Sequence, residues 1–328
     1  MRPRAVLAIL AAFPFAACAP TVTEESAPEP SSRYAFWRPA PVEEAVEPAE
    51  AIARSTAADW RAIDPDNLLV MDLAVDDGAP AARVVIELAP EFAPVHVANV
   101  RAFARAGWWN DATVYRVQDN YVAQWGNGDN EVPLPDGVVR TPPAEYDRAM
   151  AGLSLRPLGF PDSYASLAGH AGGWPVAWDP ESGRAWLTHC YASVGVGRDL
   201  APDTGTGGEL YAVIGHSPRH LDRNIATIGR VIDGIHHLAA RPRGTGNLGF
   251  YDVERGERPI PIRTIRLASQ LSEAEQPHFE VMRTDSATFA AYVTGRANRG
   301  GTFFIRPAGG VDVCNAGVPV RRRPEQPG

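Results

Sequence analysis

Between Val114 and Gly126 the chain reads Val-Tyr-Arg-Val-Gln-Asp-Asn-Tyr-Val-Ala-Gln-Trp-Gly, two short apolar runs separated by a polar break. Runs of this length, rich in Val, Tyr and Trp, specify strands over 114–117 and 121–125, joined by a turn at Gln118-Asp119-Asn120. Side chains alternate across a strand, so Tyr115 and Val117 are expected to oppose Val114 and Arg116. Arg116 then projects from a stiff sheet beside Gln124, with Tyr121 close by. A guanidinium fork, an amide and an aromatic wall share one surface. The plain structural alternative is an exposed arginine on an edge hairpin.

The flanking sequence supplies more strands than helices. Residues 68–75 and 82–88 flank Asp76-Asp-Gly-Ala-Pro80 and read as a hairpin. Helical periodicity over 93–106 turns Val95, Val97, Val100, Phe103 and Ala104 mostly inward, and Gly107 closes that helix. Further strands are expected at 192–196, 210–214, 226–231 and 261–267, with a short helix at 235–240. Residues 51–63 read as a short helix that packs Trp60 and Ile63. Pro, Gly and Asp recur through 127–187, which reads as a long irregular loop whose aromatics, Tyr164, Trp174, Trp178 and Trp186, pack back on the body. Residues 271–328 carry apolar patches at 302–305 and 311–314 and read as an extension strapped onto the preceding domain.

Charge narrows the function classes. The 328 residues carry a net charge of −8 with no basic run longer than Arg321-Arg-Arg323, so a nucleic-acid partner is not expected. A basic start, Met1-Arg-Pro-Arg, precedes an apolar stretch over 5–17 that is too short to span a bilayer, as in a secretory signal. Phe15-Ala-Ala-Cys18 resembles the lipobox of bacterial lipoproteins, with Cys18 as the acylated residue; ordinary cleavage after Ala17-Cys-Ala19 is the other outcome. If Cys18 carries lipid, Cys190 and Cys314 are left as a pair in an oxidising compartment, either bridged or as two buried free thiols. Residues 20–50, rich in Pro, Glu, Ala and Ser, read as a disordered tether. No Cys/His spacing suggests a metal site.

Several blocks in order resemble the cyclophilins, the β-barrel peptidyl-prolyl isomerases. That family carries a Phe-His-Arg-Val block followed by Phe-x-x-Gln-Gly-Gly; here they stand as Val114-Tyr115-Arg116-Val117 and Tyr121-Val122-Ala123-Gln124-Trp125-Gly126. The run from Ala82 to Phe103 looks like its second strand and first helix, and Gly208-Glu209-Leu210-Tyr211 and the stretch from Leu221 to Val231 look like later blocks. The similarity covers about 68–267, interrupted by the long insertion. It implies a mainly β fold, a closed antiparallel eight-stranded barrel capped by two α-helices. The chain then divides into a signal peptide (1–18), a tether with a short helix (19–62), an isomerase domain (63–270, insertion about 127–187) and a C-terminal extension packed on the barrel (271–328).

By the same resemblance Arg116, Gln124 and Tyr121 are the catalytic residues. Tyr115, Val122, Arg198, Glu209, Leu210, Tyr211, His220, Leu221 and Ile225 line the substrate groove. The implied reaction, isomerisation of Xaa-Pro bonds, needs no cofactor or metal. Implied partners are proline-containing polypeptides of the envelope, met by a periplasmic monomer anchored to the outer membrane through lipid. Departures from the family pattern concentrate on the rim. Tyr121 and Tyr211 replace Phe, Glu209 stands for Gln, Arg198 for Asn, Ile225 for a common His, and His220 for an indole. The resemblance therefore implies weak cyclosporin binding and an altered preference before proline, with Arg198 and Glu209 compensating as a pair across the groove. A non-catalytic peptide-binding or assembly module is the alternative, favoured by the altered rim and opposed by Arg116, Tyr121 and Gln124.

Competing motifs lack their frames. Gly244-Thr-Gly-Asn-Leu-Gly249 matches a dinucleotide pattern without a strand–helix unit around it. Asp203-Thr-Gly205 has no second carboxylate copy. His216, His220, His236 and His237 are broken by Ser217-Pro218, which prevents a shared helical face. Ser217 lacks the glycine of a nucleophile elbow.

Overall fold

Apolar runs of four to eight residues that alternate or stay wholly buried can satisfy their backbone groups only by pairing, and here the pairing closes on itself. A computed structural model describes residues 45–74, 82–128, 132–300 and 302–323. The leader, Cys18, the tether as far as residue 44 and the turn at 76–80 lie outside the described residues. Eight strands form the barrel: β1 Leu68–Leu73, β2 Ala82–Leu88, β3 Thr113–Val117, β4 Val122–Gly126, β5 Ser193–Val196, β6 Leu210–Val213, β7 Thr227–Asp233 and β8 Ile260–Leu267. Their order is β5-β6-β4-β3-β8-β1-β2-β7, every pairing is antiparallel, and β7 returns to β5.

The barrel interior is filled by Leu69, Met71, Val84, Ile86, Val114, Val117, Trp125, Val194, Leu210 and Ile228. The helix Pro94–Arg105 adds Val97, Val100, Phe103 and Ala104 to that core, and the single turn His236–Ala239 adds Leu238. Proline suits the first helical turn, where an N–H has no partner anyway. The N-cap of the long helix, Ala93, offers no side-chain acceptor. Glu145 of the insertion takes that role, accepting the backbone N–H of Val95 at 2.8 Å and of His96 at 2.9 Å. Burial pushes the Glu145 carboxyl up, but the hydrogen bonds from His96 and Val95 outweigh it and hold it below the ordinary range.

Simple alternation fails at β3. Val114 pairs with Trp125 and Arg116 with Gln124, so the register slips by one residue between them. This bulge puts Val114 and Val117 together in the core, while Tyr115 and Arg116 both stay half-exposed, contrary to the expected opposition of Tyr115 and Val117 to Val114 and Arg116.

The insertion is ordered where an irregular loop was expected. Residues 148–187 build a five-stranded antiparallel sheet of Arg148–Ala149, Arg184–Leu187, Trp174–Asp179, Leu167–Ala171 and Arg156–Pro157, in that spatial order. Gly172 and Gly173, at φ 58° and 92°, form the two-residue turn of its central hairpin, a geometry that side-chain-bearing residues resist. Trp174, Val176, Trp178 and Leu187 pack on Ala89 and Phe92, just after β2.

The chain ends also depart from expectation. The helix near the start spans Pro48–Ala53, not 51–63, and Trp60–Ala62 is a strand. That strand pairs with Phe279–Met282, which pairs with Val320–Arg322. Trp60 and Ile63 are buried as expected, but against this sheet and the helix Ala287–Ala297. The patch at 302–305 is not a strand; Phe303 and Ile305 are exposed. Cys190 and Cys314 are joined by a disulfide, with Cα atoms 5.0 Å apart.

Candidate active site

Arg116 stands on the bulged strand with its guanidinium held on three sides. Nη1 donates to Gln124 Oε1 at 3.0 Å, Nε to the Leu248 carbonyl at 2.8 Å, and Nη2 to Gln118 Oε1. A guanidinium has five N–H donors, so two remain for a ligand. Burial lowers the hold of Arg116 on its proton, and the nearby Tyr121, Tyr115 and Tyr211 oppose that shift. The group stays a cation at any physiological pH.

The hydrogen bonds run in one direction from cation to anion. Gln124 Nε2 donates to the Tyr115 hydroxyl at 2.7 Å, and that hydroxyl donates to Glu209 Oε2 at 2.5 Å. Glu209 Oε1 accepts from the Gly128 backbone at 3.2 Å. Burial, reinforced by the Glu209 charge, pushes the Tyr115 hydroxyl far above its ordinary range. Both ends of the Gln124 amide are thus engaged within the protein.

Beside this fork lies an apolar cluster. Val122, Tyr211 and Val213 form its buried floor, and Tyr121, Leu221 and Ile225 pack around it. The Tyr121 ring lies 5.8 Å from the Arg116 Cζ and stacks on His220 at 6.2 Å with planes 7° apart. Burial raises the Tyr121 and Tyr211 hydroxyls above their ordinary range, so both remain neutral phenols.

One expected groove residue sits elsewhere, and one expected pairing is not formed. Leu210 is wholly buried in the barrel core, because its neighbours Glu209 and Tyr211 face the other side of β6. Arg198 donates to the Asn224 carbonyl at 3.0 and 2.9 Å and lies over the Tyr146 ring at 5.8 Å, while Glu209 serves Tyr115 and Gly128. The expected pairing of Arg198 with Glu209 across the groove is replaced by these contacts.

Three participants escaped the sequence. Gln118 was read as a turn residue, yet it braces Arg116. Leu248 and Phe250 belong to a loop that folds over β3: Phe250 stacks on Tyr115 at 5.8 Å and lies 5.4 Å from the Arg116 Cζ. That loop contains the glycine pattern Gly244–Gly249, and the Gly244 N–H donates to the Val117 carbonyl at 3.0 Å. A Cβ at Gly249 would stand 2.6 Å from the Gln118 Cα, so this glycine lets the loop lie close against the end of β3.

A geometry of this kind invites comparison with known proteins. Residues 70–266 match the family model described as cyclophilin type peptidyl-prolyl cis-trans isomerase/CLD. Over 66 residues, 20% of this chain, it is 35% identical to a probable peptidyl-prolyl cis-trans isomerase of Brucella suis. The corresponding protein of Brucella abortus is 33% identical over 66 residues. The chain spans only 31% of the length of these relatives. Among solved structures, the cyclophilin AquaCyp293 from Hirschia baltica shares the fold with a TM-score of 0.58 at 24% identity, covering 74% of this chain and 89% of that one.

Proposed function

Because the chain belongs to the cyclophilin-type peptidyl-prolyl cis-trans isomerase family, we propose that it catalyses cis/trans isomerisation of Xaa-Pro bonds in polypeptides, with Arg116 stabilising the twisted amide. The reaction asks little of an enzyme beyond shape and charge. Amide resonance sets a barrier of about 18–20 kcal/mol, and twisting the bond makes the proline nitrogen pyramidal and basic. An acceleration of ~10⁵ requires about 7 kcal/mol of differential stabilisation. Preorganised donors aimed at developing charge contribute most where they need not reorganise. The observation that carries the reading is the braced guanidinium with two N–H groups left over, beside an apolar cluster of Val122, Tyr211, Leu221 and Ile225.

Proline-containing segments of envelope proteins are the proposed substrates, in the periplasm, with acylation at Cys18 as the anchor. The basic and apolar leader and the Cys190–Cys314 bridge support that setting. A second reading, peptide docking without catalysis, is favoured by the internal engagement of both ends of the Gln124 amide.

A protease-coupled isomerisation assay on a short Xaa-Pro peptide separates the two. The parent is expected to accelerate exchange, and Arg116→Ala to lose about 10²-fold or more in kcat/KM with an unchanged circular dichroism spectrum. A folded parent that leaves the uncatalysed rate unchanged across several residues before proline would rule out the enzyme reading.

A further inference from the structure

Behind the apolar cluster runs a buried polar chain that the isomerisation itself does not use. The Tyr211 hydroxyl lies 2.9 Å from His189 Nε2. His189 Nδ1 lies 3.0 Å from Asp222 Oδ1, which also accepts the His189 backbone N–H at 2.9 Å. Asp222 Oδ2 accepts from Arg219 Nε at 2.6 Å, and the two terminal nitrogens of Arg219 reach Asp162 at 2.9 and 3.0 Å. Asp162 belongs to the insertion. Exposure along this chain is 5% at Tyr211, 0% at His189, 7% at Asp222 and 3% at Arg219.

Charge fixes the direction of the bonds to Asp222. An ionised Asp222 can only accept, so Nδ1 of His189 donates to it, and in a ring that carries one proton this leaves Nε2 as the acceptor. Burial pushes the Asp222 carboxyl up, but His189 and the Arg219 cation outweigh it and keep it ionised. Nε2 can then take the Tyr211 proton, with the Thr227 hydroxyl a weaker companion at 3.4 Å. Space is reserved for this arrangement. A Cβ at Gly195 would stand 2.3 Å from the Tyr211 hydroxyl oxygen.

We propose that His189, backed by Asp222, Arg219 and the insertion's Asp162, is a positioning residue: it accepts the buried hydroxyl proton of Tyr211 and so fixes the ring that floors the proline pocket. The inference rests on the isomerase reading of the same site. A phenylalanine on this floor would need no such partner. A tyrosine deprived of one must bury a bare hydroxyl or turn its ring to reach water. The insertion thus helps, through Asp162, to set the shape of the site.

Two measurements on the full chain test this. In isomerisation kinetics, His189→Leu is expected to raise KM about fivefold or more while kcat stays within about twofold. Adding Tyr211→Phe should bring KM back to that of Tyr211→Phe alone, since the hydroxyl that needed a partner is gone. A KM defect that persists undiminished in the Tyr211→Phe background makes His189 merely structural and overturns the proposal. The second measurement needs no His189 variant: long-range ¹H–¹⁵N correlations of the His189 ring in the parent and in Tyr211→Phe. The expected result is an Nδ1-protonated neutral ring whose Nε2 resonance moves on Tyr211→Phe. An Nε2-protonated ring, or an Nε2 resonance indifferent to that change, overturns the proposal whatever the activity. A folded parent without isomerase activity overturns the isomerase reading instead, because the ring spectrum does not depend on catalysis.

Discussion

Arg116 differs from an ordinary surface arginine in being immobilised before any ligand arrives. Its side chain would otherwise sample many rotamers, and fixing such a chain costs up to about 2 kcal/mol of conformational freedom. The bonds to Gln124, Gln118 and Leu248 meet that cost during folding. Lysine could not reproduce the arrangement, because one ammonium cannot brace against three acceptors and still present a planar pair of donors. Arg116→Lys is therefore expected to retain the charge yet lose about 10²-fold in kcat/KM; activity within a few-fold of the parent in the same peptide assay would show that charge alone suffices. That Arg116, Gln124 and Tyr121 stand together was legible in the sequence, because strand spacing brings these side chains to one surface. Leu248 was not, since it contributes a backbone carbonyl, which leaves no mark on residue identity. The bulge that turns Tyr115 outward beside Arg116 was equally silent, for no glycine or proline marks it.

At the level of elements, the barrel strands were legible and the insertion was not. The barrel strands are long enough for apolar patterning to show, whereas the insertion sheet includes strands of only two residues. Pro and Gly within it suggested a breakdown of order. Gly172-Gly173, flanked by Leu167–Ala171 and Trp174–Asp179, was in fact a hairpin signal. His170 on that hairpin joins the insertion to the tail, its Nε2–H donating to the Ala316 carbonyl at 2.8 Å. Burial pushes the His170 pKa down to about 4 from an ordinary 6.5. Between these values the unfolded chain takes up a proton that the folded ring refuses. The stability is therefore full above the unfolded value and is lost as pH falls toward the folded one. Urea midpoints should correspond to a loss of roughly 2 kcal/mol between pH 7.5 and pH 5, and His170→Gln should flatten that slope. A parent equally stable at both pH values would contradict this account of the seam.

Across the whole molecule the two ends of the described chain meet in one small sheet, with Trp60–Ala62 paired to Phe279–Met282. This joint was hidden in the sequence because a three-residue strand has no periodicity of its own and its partner lies more than two hundred residues away. The barrel and the insertion sheet each hold an apolar cluster, and the terminal sheet's cluster draws on both, with Val70 and Val85 from the outer face of β1 and β2 and Ala168, Ala177 and Trp186 from the insertion sheet. The Cys190–Cys314 bond, spanning a sequence separation of 124, crosses from the strand-side end of the insertion to the tail. In the chain-entropy model a closure of this length contributes about 4–5 kcal/mol. It also makes everything between the two cysteines a covalent ring. The loop bearing Phe303 and Ile305, 84% and 94% exposed, lies on that ring and is open to a protease such as chymotrypsin. One cut there should open the ring without dividing the molecule, giving a single band on a non-reducing gel and two after reduction. Two bands without reductant would mean that the ring is not closed. A protein built this way can be nicked at this accessible loop and still travel, and be counted, as one piece.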